Sequence, residues 1–195
     1  MNKHTIALVI CLAAASTAQA QNQPQANPVR VMLGMGLTAG GDKLATTAYT
    51  DGTSVNIKAG SGGQFYAGAD YRINESFSVQ GNIGVHVHFT PEASNGDASF
   101  KRVPVELIGY FHIAPQWRLG AGARFISNAK LSGSGFASGL DYKFKNTTGA
   151  VLEAEYLWTP HVGFKLRGVS EEYTVERNNA KLSGSHIGVA LNYYF

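Results

Sequence analysis

Cysteine is almost absent from this sequence of 195 residues, since Cys11 is the only one. One thiol near the start excludes a disulfide framework and thiol chemistry in the rest of the chain. Charge is also scarce: Asp, Glu, Lys and Arg make up 15% of the residues, the formal net charge is +3, and the basic residues are spread out. A nucleic-acid interface would need them clustered, so the composition argues against a nucleic-acid partner.

Long apolar runs are missing after residue 20, where no stretch approaches the roughly 20 residues that a membrane-spanning helix needs. The first 20 residues instead combine the basic Lys3, an apolar run and the small-residue sequence Ala18-Gln19-Ala20. That pattern predicts a signal peptide over residues 1–20, cleaved during export by the Sec pathway. Residues 21–28, rich in Gln, Asn and Pro, are expected to form a flexible lead, and residues 29–195 one domain.

The exported part of the sequence alternates apolar and polar residues. In the final stretch Ile187, Val189, Leu191 and Tyr193 share one parity, while the other parity is mostly polar or small. A period of two predicts a β-strand. The same pattern predicts eight strands in all, at 29–38, 64–73, 77–89, 102–113, 117–126, 151–158, 162–169 and 184–195, the sixth with an extension through Tyr142 and Phe144.

Short turns and long polar loops connect these strands in alternation. The short turns are Asn74-Glu75-Ser76, Ala114-Pro115-Gln116 and Thr159-Pro160-His161, and the long loops cover residues 40–53, 90–99, 127–139 and 171–183. An even strand number with this asymmetry is typical of an outer-membrane barrel, whose short turns lie in the periplasm and whose long loops lie outside. We therefore predict an all-β fold, an eight-stranded antiparallel up-and-down transmembrane β-barrel.

Aromatic residues support a membrane environment. The outward parity carries an aromatic girdle near the short turns and the final strand, consisting of Tyr71, Phe77, Phe111, Trp117, Tyr156, Trp158, Phe164 and Tyr193. Phe89, Phe125 and Phe144, near the long loops, are candidates for the opposite ring. A soluble barrel of lipocalin type is the alternative, but it would bury apolar residues inside and expose polar ones.

Ionisable residues fall on the inward parity together with the glycines. Charges cannot lie in a space a few ångströms wide without partners, and both signs occur on neighbouring strands. We predict a luminal ion-pair network of Arg30, Asp70, Arg72, Arg102, Glu106, His112, Arg118, Arg124, Glu153, Glu155, Lys165 and Arg167. Because eight strands leave room only for side chains, the interior is expected to be filled and not to conduct solutes.

Chemistry in the interior is the competing hypothesis. His86 and His88 lie two apart on one strand face and could present two imidazoles to a metal, yet no further ligand is evident nearby. A lipid A deacylase or acyltransferase would use a His with a Ser and an acidic residue. The candidates toward the long-loop end are His86, His88, His186, Ser183, Ser185 and Glu171. They form no compact motif, so we predict no catalytic residue, no metal and no cofactor.

The sequence from about Val29 to Phe195 resembles the small eight-stranded outer-membrane barrels of Gram-negative bacteria, the OmpX, OmpA transmembrane-domain and opacity-protein (porin) kind. The features that carry the resemblance are the signal peptide, the three short turns and the terminal Tyr193-Tyr194-Phe195. The resemblance implies that Tyr193 and Phe195 form a recognition signal for the barrel-assembly machinery. The lack of a peptidoglycan-binding domain after the last strand favours the OmpX-like or opacity-like kind.

These features predict a non-enzymatic protein of the bacterial outer membrane with a structural or surface-interaction role, in adhesion or envelope integrity. Its wall would contact membrane lipids and lipopolysaccharide, and its loops could bind an extracellular ligand. The first alternative is an outer-membrane enzyme that modifies lipid A acyl chains. The second alternative is a narrow solute channel.

Overall fold

The computed structural model describes residues 28–48, 54–89 and 97–195, so the predicted signal peptide and residues 21–27 of the predicted lead lie outside the described residues. The described residues form thirteen strands: β1 (Val29–Gly40), β2 (Lys43–Ala48), β3 (Ser54–Lys58), β4 (Gly62–Arg72), β5 (Phe77–Phe89), β6 (Ala98–Ala114), β7 (Trp117–Gly133), β8 (Asp141–Lys143), β9 (Thr147–Leu157), β10 (Val162–Ser170), β11 (Glu172–Thr174), β12 (Lys181–Ser183) and β13 (His186–Tyr194). In these parts of the chain no helix has the length and apolar character needed to cross a membrane.

Eight of the strands close a barrel. Strands β1, β4, β5, β6, β7, β9, β10 and β13 are neighbours in that order, and each pair is antiparallel. The last strand pairs back onto the first, from Met32 opposite Tyr194 to Gly40 opposite His186. Closure gives every strand two neighbours and leaves no open sheet edge. The predicted eight-stranded antiparallel up-and-down barrel is confirmed.

The two faces of the wall have opposite polarity to those of a soluble barrel. The side chains of Ile83 and Leu152 point outward and are 58% and 66% exposed, whereas Glu153 and Arg167 point inward and are 5% and 2% exposed. Alternation along each strand produces this arrangement, since successive side chains point to opposite faces. The wall is therefore apolar outside and charged inside, which rules out the lipocalin-type alternative.

Two neighbouring strands extend well beyond the predicted ends. Strands β6 and β7 have 17 residues each, and they pair from Ala114 opposite Trp117 to Ala98 opposite Gly133. Residues 127–133, predicted as loop, are thus part of β7. The register shifts between Lys101 and Val103, opposite a bulge at Asn128, which has a φ of 52°. Asparagine tolerates this left-handed conformation.

Pro104 lies in the middle of β6, a position that is unfavourable for a residue without an N–H group. Its partner in β7 is Ile126. On the other side, the β5–β6 pairs run to Ile83–Val105 and resume at His86–Arg102. The sheet accommodates the proline because the β5–β6 pairing is interrupted beside it.

The described parts of the long connections fold over one end of the barrel as a small structure of their own, which we call the cap; residues 49–53 and 90–96 of the predicted loops lie outside the described residues. It comprises the β2–β3 hairpin, the upper ends of β6 and β7, a 3-10 turn at Gly135–Ala137, β8, and the β11–β12 hairpin. Its core contains Ile57, Ala59, Ala98, Phe100, Ile126, Ala129, Leu131, Phe144, Tyr173 and Val175. Five of these residues, Ala98, Ala129, Leu131, Tyr173 and Val175, lie in segments that were predicted as polar loops, and they are buried instead.

Phe144 illustrates the difference. It was a candidate for the outer aromatic ring, but only 4% of it is exposed, and its ring packs at 5.3 Å from Phe100 and 5.9 Å from Tyr173. The predicted extension of the sixth strand through Tyr142 does not continue β9 either, because Tyr142 belongs to β8 and pairs with Leu131.

The bulge at Asn128 gives a test of this architecture. Replacement by valine (Asn128→Val) is expected to lower the free energy of unfolding by about 1–2 kcal/mol, because a β-branched residue does not tolerate φ near 52°. Replacement by glycine (Asn128→Gly) is expected to change it by less than about 0.5 kcal/mol. Urea unfolding of the refolded protein in detergent micelles measures both. Equal effects of the two substitutions would contradict the bulge.

Candidate functional site

The interior of the barrel holds ten charged side chains that contact one another in sequence from one end to the other. We call this series the lumen chain. In order, it consists of Arg30, Asp70, Arg118, Glu155, Lys165, Glu153, Arg167, Glu106, Arg124 and Glu171, and each neighbouring pair is within 4.0 Å. The signs alternate, with five cations and five carboxylates. The lumen chain is therefore electrically neutral.

Arg118 is the centre of the half nearest the short turns. Its guanidinium is fully buried and lies 2.7 Å from Glu155 Oε2 and 2.8 Å from Asp70 Oδ1. It also donates hydrogen bonds to the hydroxyl oxygens of Tyr194, at 2.6 Å, and Ser78, at 3.1 Å. The planar fork of arginine suits several acceptors at once, so Arg118 joins four strands: β4, β5, β9 and β13.

Glu106 and Arg124 occupy the half nearest the cap. Glu106 Oε1 accepts from Arg124 Nη1 at 2.5 Å and from Arg167 Nη2 at 2.7 Å. Arg124 Nε donates to Glu171 Oε2 at 3.0 Å. Hydrogen bonds that involve two charged groups are stronger than neutral ones, and here they link β6, β7 and β10 to the residue that follows β10.

Neutral side chains occupy the remaining interior space. Lys165 Nζ donates to the Tyr110 hydroxyl at 2.6 Å, and that hydroxyl donates to Glu153. Asn192 Nδ2 donates to Glu155 Oε1 at 2.9 Å. Glycine makes room for these groups, since a Cβ at Gly34 would overlap the ring of Tyr66. The lumen is thus packed by side chains of every barrel strand.

The lumen chain contains nine of the twelve predicted network residues: Arg30, Asp70, Glu106, Arg118, Arg124, Glu153, Glu155, Lys165 and Arg167. The other three, Arg72, His112 and Arg102, lie outside it. Arg72 is at the end of β4, where it donates to the backbone carbonyls of Asn74 and Glu75. The ring of the half-buried His112 places Nε2 3.0 Å from the hydroxyl of Ser78.

Arg102 requires a separate correction. It is buried but has no ion-pair partner among the described residues; its Nη2 lies 2.9 Å from His86 Nε2, and its guanidinium lies 4.8 Å from the ring centre of Phe100. Parity identified Arg102 as inward, but its height on β6 puts it above the carboxylates, between the lumen and the cap core. An inward parity predicts burial, not the identity of the partner.

Glu171 is the member of the lumen chain that sequence reasoning missed. It follows β10 and was assigned to an external loop, yet it is 4% exposed. Its Oε1 accepts a hydrogen bond of 2.8 Å from the hydroxyl of Tyr173 in the cap core. Burial raises the pKa of Tyr173, so the phenol remains a neutral donor. Glu171 and Tyr173 thereby connect the cap to the lumen.

The candidate catalytic groups do not assemble into a nucleophile and base pair. His86 lies between Arg102 and Arg124, and His88 contacts the backbone of Lys58. His186 Nδ1 is 2.8 Å from the carbonyl oxygen of Gly184 and 3.7 Å from Glu171 Oε1. Within residues 28–48, 54–89 and 97–195, none of the hydrogen bonds joins Ser183 or Ser185 to an imidazole, and no cluster of His, Cys, Asp or Glu could hold a metal ion.

The aromatic girdle residues lie on the outer wall near the short turns. Trp117 packs at 5.0 Å from Tyr156, Phe77 at 5.1 Å from Phe111, and Trp158 at 5.8 Å from Phe164. Seven of the eight residues are exposed and Tyr156 is half-buried: Tyr71, Phe77, Phe111, Trp117, Trp158, Phe164 and Tyr193, then Tyr156. Such pairs on neighbouring strands form the band that flanks the apolar wall of a membrane barrel.

A closed antiparallel barrel with an apolar outer wall, an aromatic girdle and a charged interior defines an integral outer-membrane β-barrel protein. The chain belongs to the family described as outer membrane protein beta-barrel domain, whose model matches residues 6–195. The protein is therefore located in the outer membrane, and the predicted membership among small eight-stranded outer-membrane barrels is confirmed.

Solved structures share this fold. Ail, the attachment invasion locus protein of Yersinia pestis, is 16% identical, with 86% of this chain and 97% of that chain covered and a TM-score of 0.51. Neisserial surface protein A gives the same values of identity, coverage and TM-score, namely 16%, 86%, 97% and 0.51. The comparison with curated proteins found no match. At this level of identity the likeness is one of fold alone.

Two arginines predicted together allow a matched test of the lumen chain. Replacing Arg118 by methionine (Arg118→Met) is expected to lower the free energy of unfolding by about 3–5 kcal/mol, because the carboxylates of Asp70 and Glu155 lose a buried partner. Arg72→Met, at the exposed end of β4, is expected to change it by less than about 0.5 kcal/mol. Urea unfolding followed by gel migration measures both variants. Similar losses of stability would contradict the conclusion that Arg118 stabilises the barrel and Arg72 does not.

Proposed function

We propose that this protein is a non-enzymatic surface-interaction or structural protein of the outer membrane, acting in adhesion or envelope integrity, with a barrel that is closed to solutes. The observation that carries the proposal is the filled interior. Ten charged groups of alternating sign cross the lumen, and an apolar core lies above them. An eight-stranded barrel has just enough interior space for side chains.

The division of polarity supports separate roles for the parts of the molecule. The outer wall contacts lipid, the lumen chain holds the strands together, and the cap carries the polar surface that faces outward. Binding residues commonly lie on loops held by a rigid scaffold. The cap fits that arrangement, because its hairpins rest on a packed core that is continuous with the barrel through Glu171 and Tyr173.

Two partners belong to this proposal. The first is lipopolysaccharide, whose phosphates would lie beside the outer rim of the wall. The second is the barrel-assembly machinery, which would recognise Tyr193 and Phe195 on the final strand. Their rings pack at 5.0 Å from each other, and both are exposed beside the seam, where the backbone N–H of Phe195 donates to the carbonyl oxygen of Val31 at 2.9 Å.

The position of the imidazoles supports a protein without catalysis. An acyl-transfer site would need a serine hydroxyl within hydrogen-bonding reach of a histidine, with an acidic residue to orient the imidazole. Here His186 lies near Glu171, but its other nitrogen, Nε2, is buried without a hydrogen-bond partner in the described part of the chain. A substrate acyl chain on the outer wall could not reach it, because the side chain points into the barrel.

Conductance in planar lipid bilayers tests the closed interior. The folded wild-type protein is expected to insert without producing single-channel current steps, because its lumen is filled. A general porin measured in the same bilayer provides the positive control for insertion and detection. Reproducible current steps from the purified wild-type protein would favour the solute-channel alternative and overturn the closed barrel.

The enzyme alternative has a different test. Lipid A from cells with and without the gene is expected to give the same mass spectrum, since no acyl chain should be removed or transferred. Expression of the wild-type gene in the deletion strain controls for secondary changes. A peak displaced by the mass of one acyl chain, restored to its original place by that expression, would establish the enzyme instead.

A further inference from the structure

Three lysines lie directly opposite one another on adjacent strands of the cap. Lys101 of β6 pairs with Lys130 of β7, and Lys130 pairs with Lys143 of β8. We call these three residues the lysine row. All three are exposed. Like charges placed directly opposite across a sheet are destabilising, so the arrangement is unfavourable unless an anion lies beside it.

Carboxylates are too few to neutralise the row. Lys130 Nζ is 3.0 Å from Asp141 Oδ1, while Lys101 and Lys143 have no ion pair with any residue in the described ranges. The neighbouring β11–β12 hairpin places Glu176 opposite Lys143, and its own Lys181 is matched by Glu172 at 2.9 Å. Asp141 and Glu176 thus lie beside three lysines, so the lysine row keeps a net positive charge. The β2–β3 hairpin carries a second opposed pair, Lys43 and Lys58.

The lysine row is on the lipid-facing side of the sheet. Phe100 and Arg102, which flank Lys101, are buried, and so are Ala129 and Leu131, which flank Lys130. The lysines therefore point outward, as the wall residues below them do. The row lies on the outside of the barrel and not over its mouth.

Along the barrel axis, the lysine row lies at the height of the membrane surface. From Trp117 in the girdle to Lys130 there are thirteen residues along β7, which at about 3.3 Å per residue and a tilt of about 40° rise about 33 Å along the barrel axis. The apolar band of such barrels is about 25 Å tall. Lys130 is thus about 8 Å beyond the hydrocarbon, at the depth of lipid headgroups.

We propose that the lysine row binds the phosphate groups of a glycolipid of lipid A type in the outer leaflet. The apolar wall beneath the row would contact the acyl chains of the same molecule, whereas a water-soluble anion would find no such surface. The proposal rests on the proposed function in one respect, namely that the cap faces outward. Attraction between lysines and anionic lipid is additive and local.

Native mass spectrometry of the folded full-length protein in detergent, titrated with lipid A carrying its phosphates, tests the proposal. The triple variant Lys101→Gln/Lys130→Gln/Lys143→Gln is expected to bind about a hundredfold more weakly, at about fivefold for each lysine. The matched control Lys43→Gln/Lys58→Gln/Lys181→Gln removes the same charge elsewhere on the cap and is expected to change affinity less than twofold. Wild-type protein should bind dephosphorylated lipid A as weakly as the triple variant binds the phosphorylated form.

Three results would overturn the proposal: equal losses in both triple variants, equal binding of both lipid A forms by the wild type, or displacement of lipid A by an equal concentration of inorganic phosphate. Gel migration without heating shows that each variant is folded. Should the triple variant fail to fold, Lys143→Gln alone, on the short strand β8 outside the barrel, replaces it with an expected fivefold loss.

A second readout separates binding from structure. Without lipid A, the lysine-row variant should unfold at a higher temperature than the wild type, because repulsion between the opposed lysines is removed; a lower temperature would contradict the proposal. A conducting barrel would overturn the proposed function and leave this titration unchanged, so the two failures can be told apart.

Discussion

The need to neutralise buried charge governs this structure. A carboxylate or guanidinium inside a narrow barrel surrounded by hydrocarbon is costly unless an opposite charge and further hydrogen bonds compensate it. The lumen chain meets that requirement by strict alternation of sign from Arg30 to Glu171. A slip of one strand by one residue would turn its charges toward lipid, where they are strongly unfavourable. The same ion pairs that fill the lumen therefore also specify the register of the wall.

The pairing of buried charges extends from the lumen into the cap and connects the barrel to the cap. Glu171 receives a charged donor, Arg124, from the lumen and a neutral donor, Tyr173, from the cap core. Phe100 and Phe144 pack against the ring of Tyr173 at 5.4 Å and 5.9 Å. The cap is thus anchored by a hydrogen bond and by apolar contacts at the same residue. A loop held in this way can present a fixed surface with little loss of conformational entropy on binding.

The wall could be predicted from the sequence because its period of two is decided by one contrast, hydrocarbon outside and charges inside. Prediction from the sequence failed above the membrane, where hydrocarbon no longer surrounds the strands. Glu171 continues the inward parity of Lys165 and Arg167, but it lies past the predicted end of its strand at residue 169 and was therefore assigned to a loop. The cap core could not be assembled either, since Ile57, Phe144 and Tyr173 come from separate connections and meet only when β6 and β7 extend past the membrane. A possible signal was the run of alternation after Phe125, in which Ala129 and Leu131 face inward.

The extension of β6 and β7 also explains how the lysine row can keep a fixed geometry although its charges repel one another. Lysines on a mobile loop would move apart to reduce their repulsion, but cross-strand pairing fixes Lys101 opposite Lys130. The bulge at Asn128 lies between these lysines and the apolar wall, and bulges increase local twist and redirect side chains. Residues that reduce the stability of a fold are commonly associated with binding. The lysine row has the corresponding features: a fixed geometry, excess charge and a position at the membrane surface, where anionic headgroups lie.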